Sequence, residues 1–251
     1  MNPVDRATDA RVLAALDLTS LGEDDMPADI EKLCQKAASA ETQPAAICVY
    51  PEHIVTVRRA LDGSRAPRIA VATVVNFPDG ANDPGRAHRE TRRALAAGAD
   101  EIDIVFSWRA YVGGDREIGP SILRQCKDIC GPKLLKAIIE TGELRDPLLI
   151  REVCESAIDA GTDFIKTSTG KSRIGATPEA AQVILECLRE RGRGGFKASG
   201  GIRTVAQACD YLELAERICG AGWATSANFR IGSSSILDAI CAASRARNSD
   251  Q

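Results

Sequence analysis

The sequence predicts a single α/β domain closed into an eight-stranded (β/α)8 barrel. Three observations carry that expectation. Eight short apolar runs, each bounded by Gly, Pro or Asp, are followed by amphipathic stretches of helical length. The chain has 251 residues, 44% of them apolar, enough for one large core and close to the length at which such barrels stay undivided. No Gly/Ser/Pro-rich linker or low-complexity block separates a second domain, so residues 1–251 read as one unit. Strand-helix alternation also fits an open doubly wound sheet, but eight units in this length favour closure.

Taken in order, the chain should open on an extra helix over Val4–Ala14, placed to close the barrel floor. The strands expected next are Ala15–Leu18, Ala46–Tyr50, Ile69–Val75, Glu101–Phe106, Leu134–Glu140, Phe164–Thr167, Gly195–Ala198 and Phe229–Gly232. The helices between them are marked by their starts: Asp83 before Pro84, Asp146 before Pro147, and Thr177 before Pro178 each pair an N-cap with a first-turn proline. The segment Arg245–Gln251 reads as a flexible tail. The architecture expected is therefore a TIM barrel.

Strands covered on both faces should be almost continuously apolar, so charges within them need a reason. In EIDIVF, period two places Glu101, Asp103 and Val105 on one face, which turns Asp103 into the lumen. By the same count Lys136 shares a face with Glu140, Lys166 with Phe164 and Ser168, and Lys197 with Gly195 and Ser199. Each lysine alone could be a strand-mouth residue whose amine reaches water. Lys166 and Lys197 together, on neighbouring strands at the end where barrels carry their chemistry, point instead to a lysine with a lowered pKa that attacks carbonyls.

Glycine-rich turns follow the last three strands: Gly170-Lys171, Gly200-Gly201-Ile202-Arg203, and Gly232-Ser233-Ser234-Ser235 before the final helix. Singly they read as tight turns or helix caps. In combination, after strands six to eight, they suit a phosphate, which needs backbone N–H donors and room to approach them.

The composition excludes several classes. A net charge of -3 gives no basic field for nucleic acid or an anionic membrane. There is no apolar run near ~20 residues and no signal-like start, so a soluble, cytoplasmic protein is expected. Nine cysteines without a C-x-x-C pair read as reduced thiols, and two histidines, His53 and His88, are too few for a three-ligand catalytic zinc or a His-dependent serine hydrolase.

Seven blocks in order, LDLTSL from Leu16, AAICVYP from Ala45, GADEIDIVF from Gly98, LLKAIIETGEL from Leu134, DFIKTSTGK from Asp163, GFKASGGIR from Gly195 and FRIGSSSIL from Phe229, resemble the 2-deoxy-D-ribose-5-phosphate aldolase family in its longer bacterial branch. The resemblance covers nearly the whole chain. It implies a class I aldolase in deoxyribonucleoside catabolism, cleaving 2-deoxy-D-ribose 5-phosphate to acetaldehyde and D-glyceraldehyde 3-phosphate. It implies that Lys166 forms the Schiff base with Lys197 and Asp103 as its assisting pair. Gly170, Lys171, Gly200, Gly201, Gly232, Ser234 and Ser235 would contact phosphate, and Asp17, Thr19, Cys48 and Lys136 would line or support the site. Cys48 reads as a buried small apolar residue without a catalytic role. No metal or organic cofactor is required, the partner is a small-molecule sugar phosphate, and the helix faces leave room for a homodimer. The chain departs from the family at Phe106-Ser107-Trp108, where Phe-Pro is common, at Lys197-Ala198-Ser199, where Lys-Pro-Ala is common, and in a tail without tyrosine.

Overall fold

The structure, a computed structural model, describes residues 3–64 and 69–249. Its elements are α1 Pro3–Ala14, β1 Leu16–Ser20, α2 Pro27–Ser39, β2 Ala46–Val49, α3 Ile54–Asp62, β3 Ala70–Val75, α4 Pro84–Ala96, β4 Glu101–Val105, α5 Trp108–Val112 and α6 Ile118–Cys130. There follow β5 Leu134–Ile138, α7 Thr141–Leu144, α8 Pro147–Asp159, β6 Phe164–Lys166, α9 Pro178–Arg191, β7 Gly195–Ser199, α10 Val205–Cys219, β8 Phe229–Ser233 and α11 Ile236–Ser249. The strands pair in parallel in chain order, and β8 returns to β1 to close the barrel. All eight expected strands are present, and the fold is a TIM barrel with α1 ahead of β1.

The three marked helix starts form as chemistry dictates. Asp83 accepts from the amide of Arg86 at 2.9 Å, Asp146 from Leu148 at 2.9 Å and Thr177 from Ala180 at 3.2 Å, each satisfying a donor with no partner inside the helix. α10 adds a reciprocal cap between Thr204 and Gln207. α1 packs on α10 and α11 and buries Val12 and Leu13. α11 carries helix through Arg245 to Ser249, where the sequence suggested a tail; Asp250 and Gln251 lie outside the described residues.

Period two divides each strand between two cores. Outward residues such as Leu16, Ile47, Ile102, Leu135, Ile165, Phe196 and Ile231 are buried under the helices, each contributing about 1.5–3 kcal/mol of transfer free energy. Inside the barrel, the small side chains Ala46, Cys48, Ala72 and Val74 of β2 and β3 form a separate apolar cluster. Toward the floor, the Phe164 ring occupies the space beside Gly195, where an added Cβ would lie 2.5 Å from it. The remaining lumen, on the β4 to β8 side and at β1, is charged. Among the described residues no helix is long and apolar enough to cross a membrane.

Candidate active site

Barrel register brings the lumenal charges together: Asp103 pairs with Lys136 across β4 and β5, Lys166 with Lys197 across β6 and β7, and Lys197 with Arg230 across β7 and β8. Three carboxylates, Asp17, Glu101 and Asp103, meet four cations, Lys136, Lys166, Lys197 and Arg230, all buried. Asp103 Oδ1 accepts from Lys136 at 2.7 Å, and its Oδ2 accepts from Lys166 at 2.8 Å and Lys197 at 2.7 Å. Lys197 also donates to Asp17 Oδ2 at 2.5 Å, and Lys136 lies 2.6 Å from Glu101 Oε2. Arg230 spans the floor, donating to Asp17 at 2.6 Å and to Glu101 at 2.9 Å.

Taking such charges out of water costs several kcal/mol per ion unless each is paired. Burial alone would raise the Asp103 carboxyl, but Lys136, Lys166 and Lys197 outweigh it and hold it well below the usual carboxylate range. Asp17 is held low against its burial by Lys197, Arg230 and Lys136. Burial would likewise lower Lys136 and Lys197, yet the facing carboxylates push both up: Asp103, Glu101 and Asp17 for Lys136, and Asp103 and Asp17 for Lys197. Lys166 goes the other way. Burial lowers its pKa, the nearby Lys197 adds to that, and Asp103 opposes without prevailing. With Lys166 neutral, the other groups balance at three against three.

Above this network the C-terminal ends of β1, β6, β7 and β8 enclose a cavity of about 430 Å³. Of the seven charged groups, Lys166 alone lines it. Of the residues singled out in the sequence, Thr19, Gly170, Lys171, Gly200, Gly201, Gly232 and Ser234 also line it, together with Ser20, Asp25, Ser199, Arg203 and Ser233. Gly200 takes φ +88 at a point where an added Cβ would sit 3.0 Å from the Cα of Gly175, a place only glycine fits. Lys171 reaches across the mouth, its Nζ donating to the carbonyl of Leu21 at 2.8 Å.

Other expected residues lie outside the lining. Asp17, Asp103, Lys136 and Lys197 lie in the network beneath the cavity. Cys48 is buried on the β2 side, its thiol pushed up by burial. Ser235 stands just beyond the lining, its hydroxyl donating to the Arg203 carbonyl at 3.1 Å and its amide to Ser233 Oγ at 3.3 Å.

Sequence reading gave Glu101 and Arg230 no role in the site. The period that selected the lysines also turns Arg230 inward with Gly232, so the signal was present. At the departures, Ser107 Oγ donates to the Ala81 carbonyl at 2.8 Å, and Ser199 Oγ, which faces the cavity, donates to the Ser168 carbonyl at 2.5 Å. Among the described residues no group of three His, Cys, Asp or Glu side chains is arranged to hold a metal ion.

Residues 11–229 match the family described as DeoC/LacD family aldolase. The chain belongs to that family. Its structure is similar to the apo form of a proposed deoxyribose-phosphate aldolase from Toxoplasma gondii ME49, at 26% identity and a TM-score of 0.87 over 97% of this chain and 98% of that one. It is also similar to an aldolase designated QR15, at 29% identity and a TM-score of 0.78 over 94% and 98% of the two chains. A tetrameric deoxyribose phosphate aldolase from Aeropyrum pernix shares the fold at 22% identity, with a TM-score of 0.76 over 96% and 95%. This aldolase is thus a carbon-carbon lyase of class I.

Proposed function

We propose that this aldolase reversibly cleaves 2-deoxy-D-ribose 5-phosphate to acetaldehyde and D-glyceraldehyde 3-phosphate through a Schiff base on Lys166. The observation that carries the reading is that Lys166, alone in a network of buried charges, both opens on the cavity and has a pKa driven down. The substrate follows from the glycine and serine rim at the loops after β6, β7 and β8, which suits a phosphate. The description of the Toxoplasma neighbour points the same way. The reading places the enzyme in cytoplasmic deoxyribonucleoside breakdown.

In this mechanism neutral Lys166 adds to the aldehyde carbon of the open-chain sugar, and loss of water leaves a protonated imine that accepts the electron pair of the breaking bond. The proton of the 3-hydroxyl is removed as the bond between carbons 2 and 3 cleaves, and glyceraldehyde 3-phosphate departs. The enamine left on Lys166 takes a proton at carbon 2, and hydrolysis releases acetaldehyde. A carboxylate held as low as Asp103 keeps protons poorly, so its part is to hold Lys197 and a water in a relay. Lys197, cationic between Asp103 and Asp17, stabilises negative charge as it develops. The imine itself is the electron sink, so the chemistry requires no cofactor.

Borohydride trapping tests the reading. Protein incubated with 2-deoxyribose 5-phosphate and reduced should carry one adduct, mapped to Lys166, with acetaldehyde among the products of the unreduced reaction. No adduct on folded protein that binds the sugar would leave a sugar-phosphate-binding protein instead, and an adduct without acetaldehyde would mean a longer donor.

A further inference from the structure

β5 ends at Ile138, and two residues later the chain takes a course that no strand residue favours. Glu140 sits at φ 55 and ψ 60, in the left-handed region, and Arg145 at φ 58 closes the far side of the four-residue α7. A non-glycine residue there costs on the order of 1 kcal/mol or more and persists only where its surroundings fix it. The surroundings are the segment that follows β6. The Thr141 amide donates to the Thr167 carbonyl at 2.9 Å, and Gly142 lies so close that an added Cβ would stand 2.2 Å from the Ile174 carbonyl oxygen.

Glu140 is 2% exposed, and no cation pairs with its carboxylate among the described residues. Its oxygens are taken up by the same segment. Thr169 Oγ1 donates to Oε2 at 2.6 Å, Ser172 Oγ to Oε1 at 3.0 Å, and the Thr169 amide lies 3.3 Å from Oε1. Thr169 Oγ1 in turn accepts from the Lys171 amide at 3.0 Å. A chain of hydrogen bonds therefore runs from the carboxylate through one hydroxyl to the backbone on the far side of Gly170, which has φ +78. Thr169, Gly170 and Lys171 all line the cavity over Lys166. Glu140 touches neither Lys166 nor the cavity.

We propose that Glu140 is a positioning residue: it sets the 169–172 loop in the shape that receives the phosphate, and so governs preference for phosphorylated over unphosphorylated donors. The inference rests on the reading of that loop as a phosphate site. A charge with no countercharge, buried where only hydroxyl and amide donors meet it, orders those donors strongly, because charge-assisted hydrogen bonds are about twice as strong as neutral ones. An amide in its place accepts through one atom only, so Thr169 and Ser172 can no longer both donate to it, and Ser172 Oγ is left with its longer contact to the Ile174 carbonyl at 3.3 Å.

The test compares 2-deoxyribose 5-phosphate with 2-deoxyribose in wild type, Glu140→Gln and Ser172→Ala, with inorganic phosphate as a competitive inhibitor. Glu140→Gln should raise KM for the phosphorylated sugar about tenfold, the effect of one charge-assisted hydrogen bond. It should raise the inhibition constant for phosphate in step and leave kcat and the unphosphorylated reaction within about twofold. Ser172→Ala, a mild change at the outer end of the same chain, should move the same ratio less far, and it carries the test if Glu140→Gln does not fold. Equal losses on both sugars would make Glu140 a scaffold residue and overturn the inference alone. A wild-type enzyme indifferent to the phosphate and uninhibited by it would overturn the phosphate reading, and this inference with it.

Discussion

Asp103 accepts from three lysine amines with two oxygens, and how each lysine is otherwise provided for decides its ionisation. Lys136 has Glu101 as a second carboxylate and Lys197 has Asp17, whereas Lys166 pairs with Asp103 alone, at an oxygen Lys197 shares. Lys166 is consequently the group that gives up its proton at least cost. The groups acting on it from the surrounding strands are Asp103, Lys197 and Cys48, with Lys136, Asp17, Glu101 and Arg230 further along the network. Below its pKa the amine is protonated and cannot attack, so kcat/KM should fall on the acid side with the titration of Lys166. Lys197→Leu removes the ammonium that helps keep this pKa low, and the acid limb should move to higher pH. Asp103→Asn removes the opposing carboxylate and should move the limb to lower pH, with kcat down on the order of 10²-fold and the Schiff base still trappable. Profiles of kcat/KM for the two variants check both signs. If Lys166→Leu retained substantial turnover, the assignment would be wrong at its root.

Strands deliver these side chains, and their spacing leaves little slack. An added Cβ on Gly232 of β8 would stand 2.8 Å from the Cβ of Ser199 and 3.3 Å from Cε of Lys197. Gly232→Ala should therefore displace β7 at the assisting lysine, costing about 1–3 kcal/mol of stability through overpacking and about tenfold in kcat, where one misplaced contact readily has that effect; denaturation curves and steady-state rates measure the two separately. Period two made Asp103, Lys136, Lys166 and Lys197 legible in the sequence, because a charge on an otherwise apolar strand announces its face. It could not say what lies across the lumen. Glu101 and Arg230 are 129 residues apart and meet only because β8 closes on β1. Nor could it foresee where a period stops: the pattern through Glu140 continues in the sequence, but the chain leaves the sheet after Ile138 and the carboxylate turns to the loop after β6. Nothing local in Ile139-Glu140-Thr141 signals a left-handed glutamate, since its conformation is imposed by a segment about thirty residues away.

At the scale of the whole molecule, the network ties stability to pH in two opposite senses. Asp17 and Asp103 have pKa values in the folded protein below their unfolded values of roughly 3.9, so their contribution is complete above that pH and is lost as pH falls through the folded values. Lys136 and Lys197 are raised above roughly 10.4, so theirs is complete below that pH and is lost as pH rises through the folded values. Lys166 is lowered. Between its folded and unfolded pKa values the unfolded chain binds the extra proton, and stability therefore rises with pH across that window. The environment that lowers the Lys166 pKa, and so makes it a nucleophile, thus costs folding stability at every pH below its unfolded value. Replacing it by methionine removes the proton difference and strands no carboxylate, because Asp103 keeps Lys136 and Lys197. Lys166→Met should accordingly be inactive and yet more stable at neutral pH by about 1 kcal/mol, a common gain when an active-site constraint is relieved, with a flatter dependence of stability on pH on the alkaline side. Urea unfolding of both proteins at a series of pH values decides it: a variant less stable than wild type at neutral pH would mean that Lys166 is charged in the resting enzyme and that its bond to Asp103 helps hold the barrel together.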